Sequence, residues 1–277
     1  MADKALLVGI NQYPGSPLAG CVNDITDITS VITSKSLFGF DPLGIRMLLD
    51  GRATAVEIRD RLKWLVAGSK AGDRLLFYFS GHGVQMAVRN DKGEPDRLDE
   101  AICPVDFDWS ESKAIRDNEL ISIMAKAHPE AHVMWVSDSC HSGDLSRGLF
   151  GLGGRTARRM LPPADVEWRR RSAQMASRDL TKASETSTFA RPNQHNAVLL
   201  SGCASNQTSA DARFGLRRRP NGAMSYFLHA ELKANPAAKM SDVLDRVRRK
   251  LKSKNFDQVP QLEGSGAGGK PFLPMPS

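Results

Sequence analysis

Five short, almost unbroken apolar runs constrain this chain more than any other feature: KALLVGI at 4–10, GIRMLLD at 44–50, RLLFYFSG at 74–81, HVMWVSD at 132–138 and NAVLLSG at 196–202. A strand with one wet face alternates apolar and polar residues, whereas a run without alternation has both faces covered. Segments with helical spacing lie between the runs. Asp24, Ile25, Ile28, Val31 and Ile32 recur along 23–34, TAVEIRDRLKWLVAG follows the second run, and NELISIMAKAH precedes the fourth. Two more, GAMSYFLHAELKAN and MSDVLDRVRRKLKSKN, follow the fifth. This order predicts an α/β sandwich: a mostly parallel sheet of about six strands with helices on both sides. No GxGxxG follows the first run, so a dinucleotide-binding fold has no support.

A length of 277 residues, 41% hydrophobic and 25% charged, suits one large domain. No apolar stretch approaches the roughly 20 residues of a membrane span, so the reading is a cytoplasmic chain without a membrane partner. The four cysteines, at 21, 103, 140 and 203, form no CxxC pair. That spacing disfavours a disulfide framework and a structural zinc site, including one built from His82, Cys140, His141 and Cys203. Cys103 and Cys203 read as inert buried thiols. The net charge of +7 is local: residues 144–195 hold ten Lys or Arg against five Asp or Glu, leaving +2 for the rest. With GLFGLGG, LPP and ASETST beside the basic clusters, this segment reads as a solvated insertion. RFGLRRRP at 213–220 reads the same way. No aromatic platform accompanies either cluster, so no nucleic-acid partner is expected.

Parallel sheets bind ligands beyond the carboxyl ends of their strands. The first run leads to NQYPGSPLAGCVND, the third ends in SGHG, the fourth in SDSCHSGD and the fifth in SGCASNQTSAD. One edge therefore gathers Cys21, Asp24, Ser80, His82, Asp138, Cys140, His141 and Cys203. A thiol and an imidazole at neighbouring strand ends suit nucleophilic catalysis: Cys140 as nucleophile, His82 as proton donor to the leaving amine, and the N–H groups of Gly83 and Cys140 as an oxyanion hole. His141 is the weaker candidate base, since side chains adjacent to Cys140 point elsewhere. No third residue that orients His82 is evident.

The paired motifs FYFSGHGVQ and VSDSCHSGD, with LLVGINQYPGSPLAGCVND, DEAICPVD and QVPQLEG, resemble the metacaspase-like branch of the caspase-type cysteine peptidases. The resemblance implies a large part over 1–143, a basic linker over 144–195 and a small part over 196–277. It implies a cysteine endopeptidase acting on proteins or peptides, with Cys21, Asp24, Ser80 and Asp138 lining an acidic pocket. Two carboxylates favour a guanidinium or ammonium, so cleavage after Arg or Lys is expected. Asp24 also fits as a helix-start carboxylate. An arginine-directed enzyme could cut its own linker within RTARRM or EWRRRS. The resemblance further implies calcium as an activator, with Asp99 and Asp117 as ligands. Here the pattern departs: Asn118 stands where a second adjacent aspartate is expected, and Asp144 and Arg147 are out of register. Two other classes are in play: a catalytically silent caspase-like module that recruits partners, and a basic nucleic-acid-binding protein, which a steep salt dependence of DNA binding would mark.

Overall fold

The computed structural model describes residues 2–87, 98–140, 155–168, 171, 197–203, 207 and 209–276. Its strands are β1 (Asp3–Gly9), β2 (Ile45–Leu49), β3 (Arg74–Ser80), β4 (Gly83–Ala87), β5 (Leu98–Ile102), β6 (Ile115–Arg116), β7 (His132–Asp138), β8 (Thr156–Ala157), β9 (Ala197–Ser201), β10 (Ala210–Phe214), β11 (Arg219–Gly222) and β12 (Gln261–Glu263). The helices are α1 (Cys21–Thr33), α2 (Ala55–Val66), α3 (Asp117–Met124), α4 (Ala223–Ala234) and α5 (Met240–Ser253). The five apolar runs are β1, β2, β3, β7 and β9. They form one sheet in the order β12-β9-β7-β3-β1-β2, parallel except for β12.

The unbroken apolar runs are explained by two separate cores, one on each face. Leu6, Val8, Phe77 and Trp135 face Ile58, Leu62 and Leu65 of α2. Their neighbours Ala5, Leu7, Tyr78 and Val136 face Ile25 and Ile28 of α1, Leu228 of α4 and Val243 and Val247 of α5. Because successive strand side chains point to opposite faces, both sets must be apolar. In α5 the buried residues Met240, Val243, Leu244, Val247 and Leu251 fall on a single stripe, with charged residues opposite. Thr54 caps α2 by accepting from the Glu57 N–H at 3.3 Å, so the helix starts within a residue of its expected position.

Two small sheets, β4-β5-β6 and β11-β10-β8, stand beyond the main one. Their strands have two to five residues and mixed polarity, too little periodicity to read in advance. RFGLRRRP lies at the surface as expected and forms the turn of the β10–β11 hairpin, where Arg219 pairs with Asp27 of α1 at 2.6 Å. In the basic segment the second sheet overturns an expectation: residues 155–160 are not a solvated loop. Strand β8 pairs with β10, and Arg158 is completely buried because three carboxylates surround it. Among the described residues no helix is long and apolar enough to cross a membrane.

Candidate active site

The parallel register sets the site. Gly9 of β1 lies beside Ser80 of β3, and Ser80 beside Asp138 of β7, so three strands end level with one another. Past these ends the chain delivers His82 and Cys140, both buried. Helix α1 begins at Cys21 and brings Asp24 down to the same edge. From the other side β10 and β11 contribute Asp211, Asn221 and Gly222.

Arg158 fills the space they enclose. Its Nη1 donates to Ser80 Oγ at 2.7 Å and to the Asp138 carbonyl at 3.1 Å, and lies 3.2 Å from Asp138 Oδ2. Its Nη2 donates to Asp24 Oδ2 at 2.7 Å and to Asp211 Oδ1 at 2.9 Å. The carboxylates are themselves held. Asp24 accepts from Ser80 Oγ, Asn221 Nδ2 and the Gly222 N–H, and Asp138 from the hydroxyls of Ser209 and Ser225. Gly222 must be glycine for this packing: a Cβ there would stand 2.2 Å from Asp138 Oδ2 and 2.5 Å from Arg158 Nη1. Burial, reinforced by the charge of Asp138, lifts the Asp24 carboxyl to about 6 despite the attraction of Arg158. Burial likewise pushes the Cys21 thiol up, so Cys21 is neutral.

The backbone of Arg158 is held as firmly as its side chain. Its carbonyl oxygen accepts from the Cys140 N–H at 3.1 Å and the Gly83 N–H at 3.2 Å, and its own N–H donates to Ser209 O at 3.0 Å. Ahead of it, Ala157 and Thr156 pair with Ala210 and Asp211 as an added antiparallel strand. After it, Arg159 bridges Gly83, and Met160 N–H donates to Gly83 O at 3.4 Å. The Arg158–Arg159 peptide bond is thus gripped on both sides.

His82 has the orienting partner that sequence reasoning missed. Its Nε2 lies 2.7 Å from the carbonyl oxygen of Ser16, which fixes Nε2 as the protonated nitrogen, and 3.2 Å from Ser16 Oγ. Tyr13 packs its ring 4.6 Å from the imidazole, accepts from the His82 N–H at 3.1 Å, and donates to Cys103 O at 2.8 Å. Nδ1 is buried with no hydrogen-bond partner among the described residues. Burial lowers the His82 pKa to about 4, so the ring is neutral near pH 7. The Cys140 thiol donates to Gln207 O at 2.9 Å, and Cys203 Sγ lies 3.3 Å from the same oxygen. Cys203 is therefore a neighbour of Cys140, and that contact together with burial raises its thiol pKa. A backbone carbonyl carries no residue-type signature, which is why Ser16 was invisible in the sequence.

The residues expected to hold calcium lie near one another and have protein partners. Asp99 accepts from Arg116 Nη1 at 2.6 Å and Asn118 Nδ2 at 3.2 Å, and Asp117 accepts from the Asn118 N–H at 2.9 Å. Among the described residues no three His, Cys, Asp or Glu side chains form a metal-holding group. With a guanidinium beside Asp99, these residues do not fit the oxygen shell of a hard dication. Asp144, Arg147 and His141 lie outside the described residues.

A family model for the caspase domain matches residues 2–268. The chain belongs to the caspase-domain peptidases, and it is a cysteine-type peptidase, a hydrolase. This caspase domain is 30% identical to Metacaspase-1 of Mycosarcoma maydis, over 95% of this chain and 70% of that protein. It is 32% identical to Metacaspase-2 of Trypanosoma brucei brucei, over 95% of this chain and 73% of that one. A crystal structure described as protein GSU0716 from Geobacter sulfurreducens shares the fold, with a TM-score of 0.68 and 25% identity, covering 95% of this chain and 92% of that one. The caspase-domain assignment agrees with the α/β sandwich read from the apolar runs.

Proposed function

We propose that this cysteine peptidase is an endopeptidase cutting after arginine or lysine, through Cys140 and His82, and that one of its substrates is its own Arg158–Arg159 bond. The observation that carries this reading is the position of Arg158, with its guanidinium among three carboxylates and its carbonyl on two N–H donors. In the proposed chemistry His82 Nδ1 takes the Cys140 proton as sulfur attacks the Arg158 carbonyl carbon. The carbonyl oxygen becomes an oxyanion between the N–H groups of Gly83 and Cys140, already aligned on it. When the C–N bond breaks, Nδ1 returns the proton to the Arg159 nitrogen, leaving a thioester that water hydrolyses. Ser16 keeps the other ring nitrogen occupied, so that Nδ1 is the one available. Cys21, Asp24, Ser80 and Asp138 are assigned to the pocket for the residue before the cut.

Calcium has no assigned part in bond breaking. Fluorogenic peptides ending in Arg, Lys or Asp, given to the wild type and to Cys140→Ala with calcium or with chelator, test the reading. The expected result is turnover after Arg or Lys, lost in Cys140→Ala. Intact mass should also show fragments ending at Arg158. Turnover after Asp, or none under any condition, overturns it; the second outcome favours a silent module. The chelator arm reports on calcium as an activator.

A further inference from the structure

The three pocket carboxylates are not equivalent. Asp24 and Asp138 keep hydrogen-bond donors from the protein whether or not a guest is present: Ser80, Asn221 and Gly222 for the first, Ser209 and Ser225 for the second. Asp211 is divided. Its Oδ2 accepts from the N–H groups of Ala19 and Gly20 at 2.8 and 3.0 Å. Its Oδ1 accepts from Arg158 Nη2 at 2.9 Å and, among the described residues, from nothing else. One oxygen is anchored to the protein, and the other waits for the guest.

The acceptors around the guanidinium also fall into two groups. Ser80 Oγ and the Asp138 carbonyl serve Nη1, while Asp24 Oδ2 and Asp211 Oδ1 serve Nη2. A guanidinium presents two nitrogens in a rigid plane and meets both groups at once. A lysine ammonium is one nitrogen on a flexible stem. Seated at the first group it leaves Asp211 Oδ1 buried without a donor, and an unpaired buried charge is costly.

We infer that Asp211 is the residue that selects arginine over lysine before the scissile bond. The inference rests on the proposed basic-residue specificity and divides it. Asp211 was not among the pocket residues legible from the sequence, because it comes from β10, a short strand in a basic hairpin.

Asp211→Asn tests it. The amide oxygen can still accept from Ala19 and Gly20, but its NH2 group then faces Nη2, donor against donor. Specificity constants are measured on paired peptides Thr-Ala-Arg and Thr-Ala-Lys, matching residues 156–158. Wild type should prefer Arg. In Asp211→Asn the Arg peptide should lose about 10- to 100-fold, the scale of a hydrogen bond to a charged group, while the Lys peptide changes by less than about threefold. Asp24→Asn should lower both. If Asp211→Asn lowers both in proportion, or leaves the ratio unchanged, Asp211 merely supports the 16–20 loop and the inference falls. A wild type that cuts both peptides equally also overturns it while the endopeptidase reading stands. A wild type that cuts neither overturns the endopeptidase reading itself.

Arg158→Lys in an otherwise unchanged chain gives the comparison without altering Asp211. Self-cleavage slowed about tenfold or more, followed by intact mass, supports the assignment. Equal rates refute it, even if Asp211→Asn fails to fold.

Discussion

The carbonyl oxygen of Arg158 lies 3.1 Å from the amide nitrogen of Cys140, the residue whose thiol is proposed to attack that same carbonyl. A segment that composition marks as surface is paired with β10 as a strand, with Arg158 buried at the end of the sheet, the placement expected of the proposed substrate. Its tether gives it a high local concentration against any competing peptide. Arg158→Ala should therefore abolish the cut after residue 158 and also speed the early hydrolysis of added Arg peptides. Progress curves decide this: a lag in the wild type that disappears in Arg158→Ala is expected, and identical curves would count against an occupied cleft.

Cleavage after Arg should weaken in mild acid. The Asp24 carboxyl is raised to about 6 by burial and by Asp138, so a fall in pH through that value protonates it and removes a charge facing the guanidinium. His82, lowered to about 4, stays neutral over the same range. The acid limb between pH 5 and 7 should accordingly appear mainly as a rise in KM, and a limb confined to kcat would shift the cause to the dyad.

Tyr13→Phe removes the oxygen that accepts the buried His82 N–H and donates to Cys103 O. Two buried backbone groups lose their partner, at a cost of about 1–3 kcal/mol. Denaturant unfolding should show that loss, together with a fall in kcat larger than any change in KM. Unchanged kcat would mean that Ser16 alone suffices to hold the imidazole.

Gly222→Ala places a methyl group against Asp138 Oδ2 and the Nη1 position of the bound arginine. Most cleavage after Arg should be lost through KM, with a melting transition that stays cooperative but moves to lower temperature as the buried carboxylate is displaced. An Arg peptide hydrolysed at the wild-type rate would show that the pocket wall yields.

The legible parts of this protein were those with local signatures. Unbroken apolar runs announced the central sheet, and the abrupt change from VMWVS to polar residues placed Cys140 at a strand end. The resemblance implied Ser80 and Asp138 through the paired motifs and Asp24 through CVND after the first run. Asp211, Asn221 and Gly222 were illegible because they reach the pocket only through long-range packing: Asp211 meets Ala19 across 192 positions of chain. Arg158 was misread for a different reason. A guanidinium among glycines and prolines has the composition of a wet loop, and only the converging carboxylates make its burial favourable.

Parallel pairing of β7 with β9 matches Val133–Ser137 to Ala197–Ser201, and thereby stitches the chain before the basic segment to the chain after it. The seam is internal to the sheet, with apolar side chains on both faces, and owes nothing to the peptide connection between the two halves. A break at Arg158 would then alter connectivity without separating the pieces: two bands on a denaturing gel, one particle in solution. The cut ends would be free to leave the cleft, while the walls of the pocket, drawn from both halves, stayed where the sheet holds them.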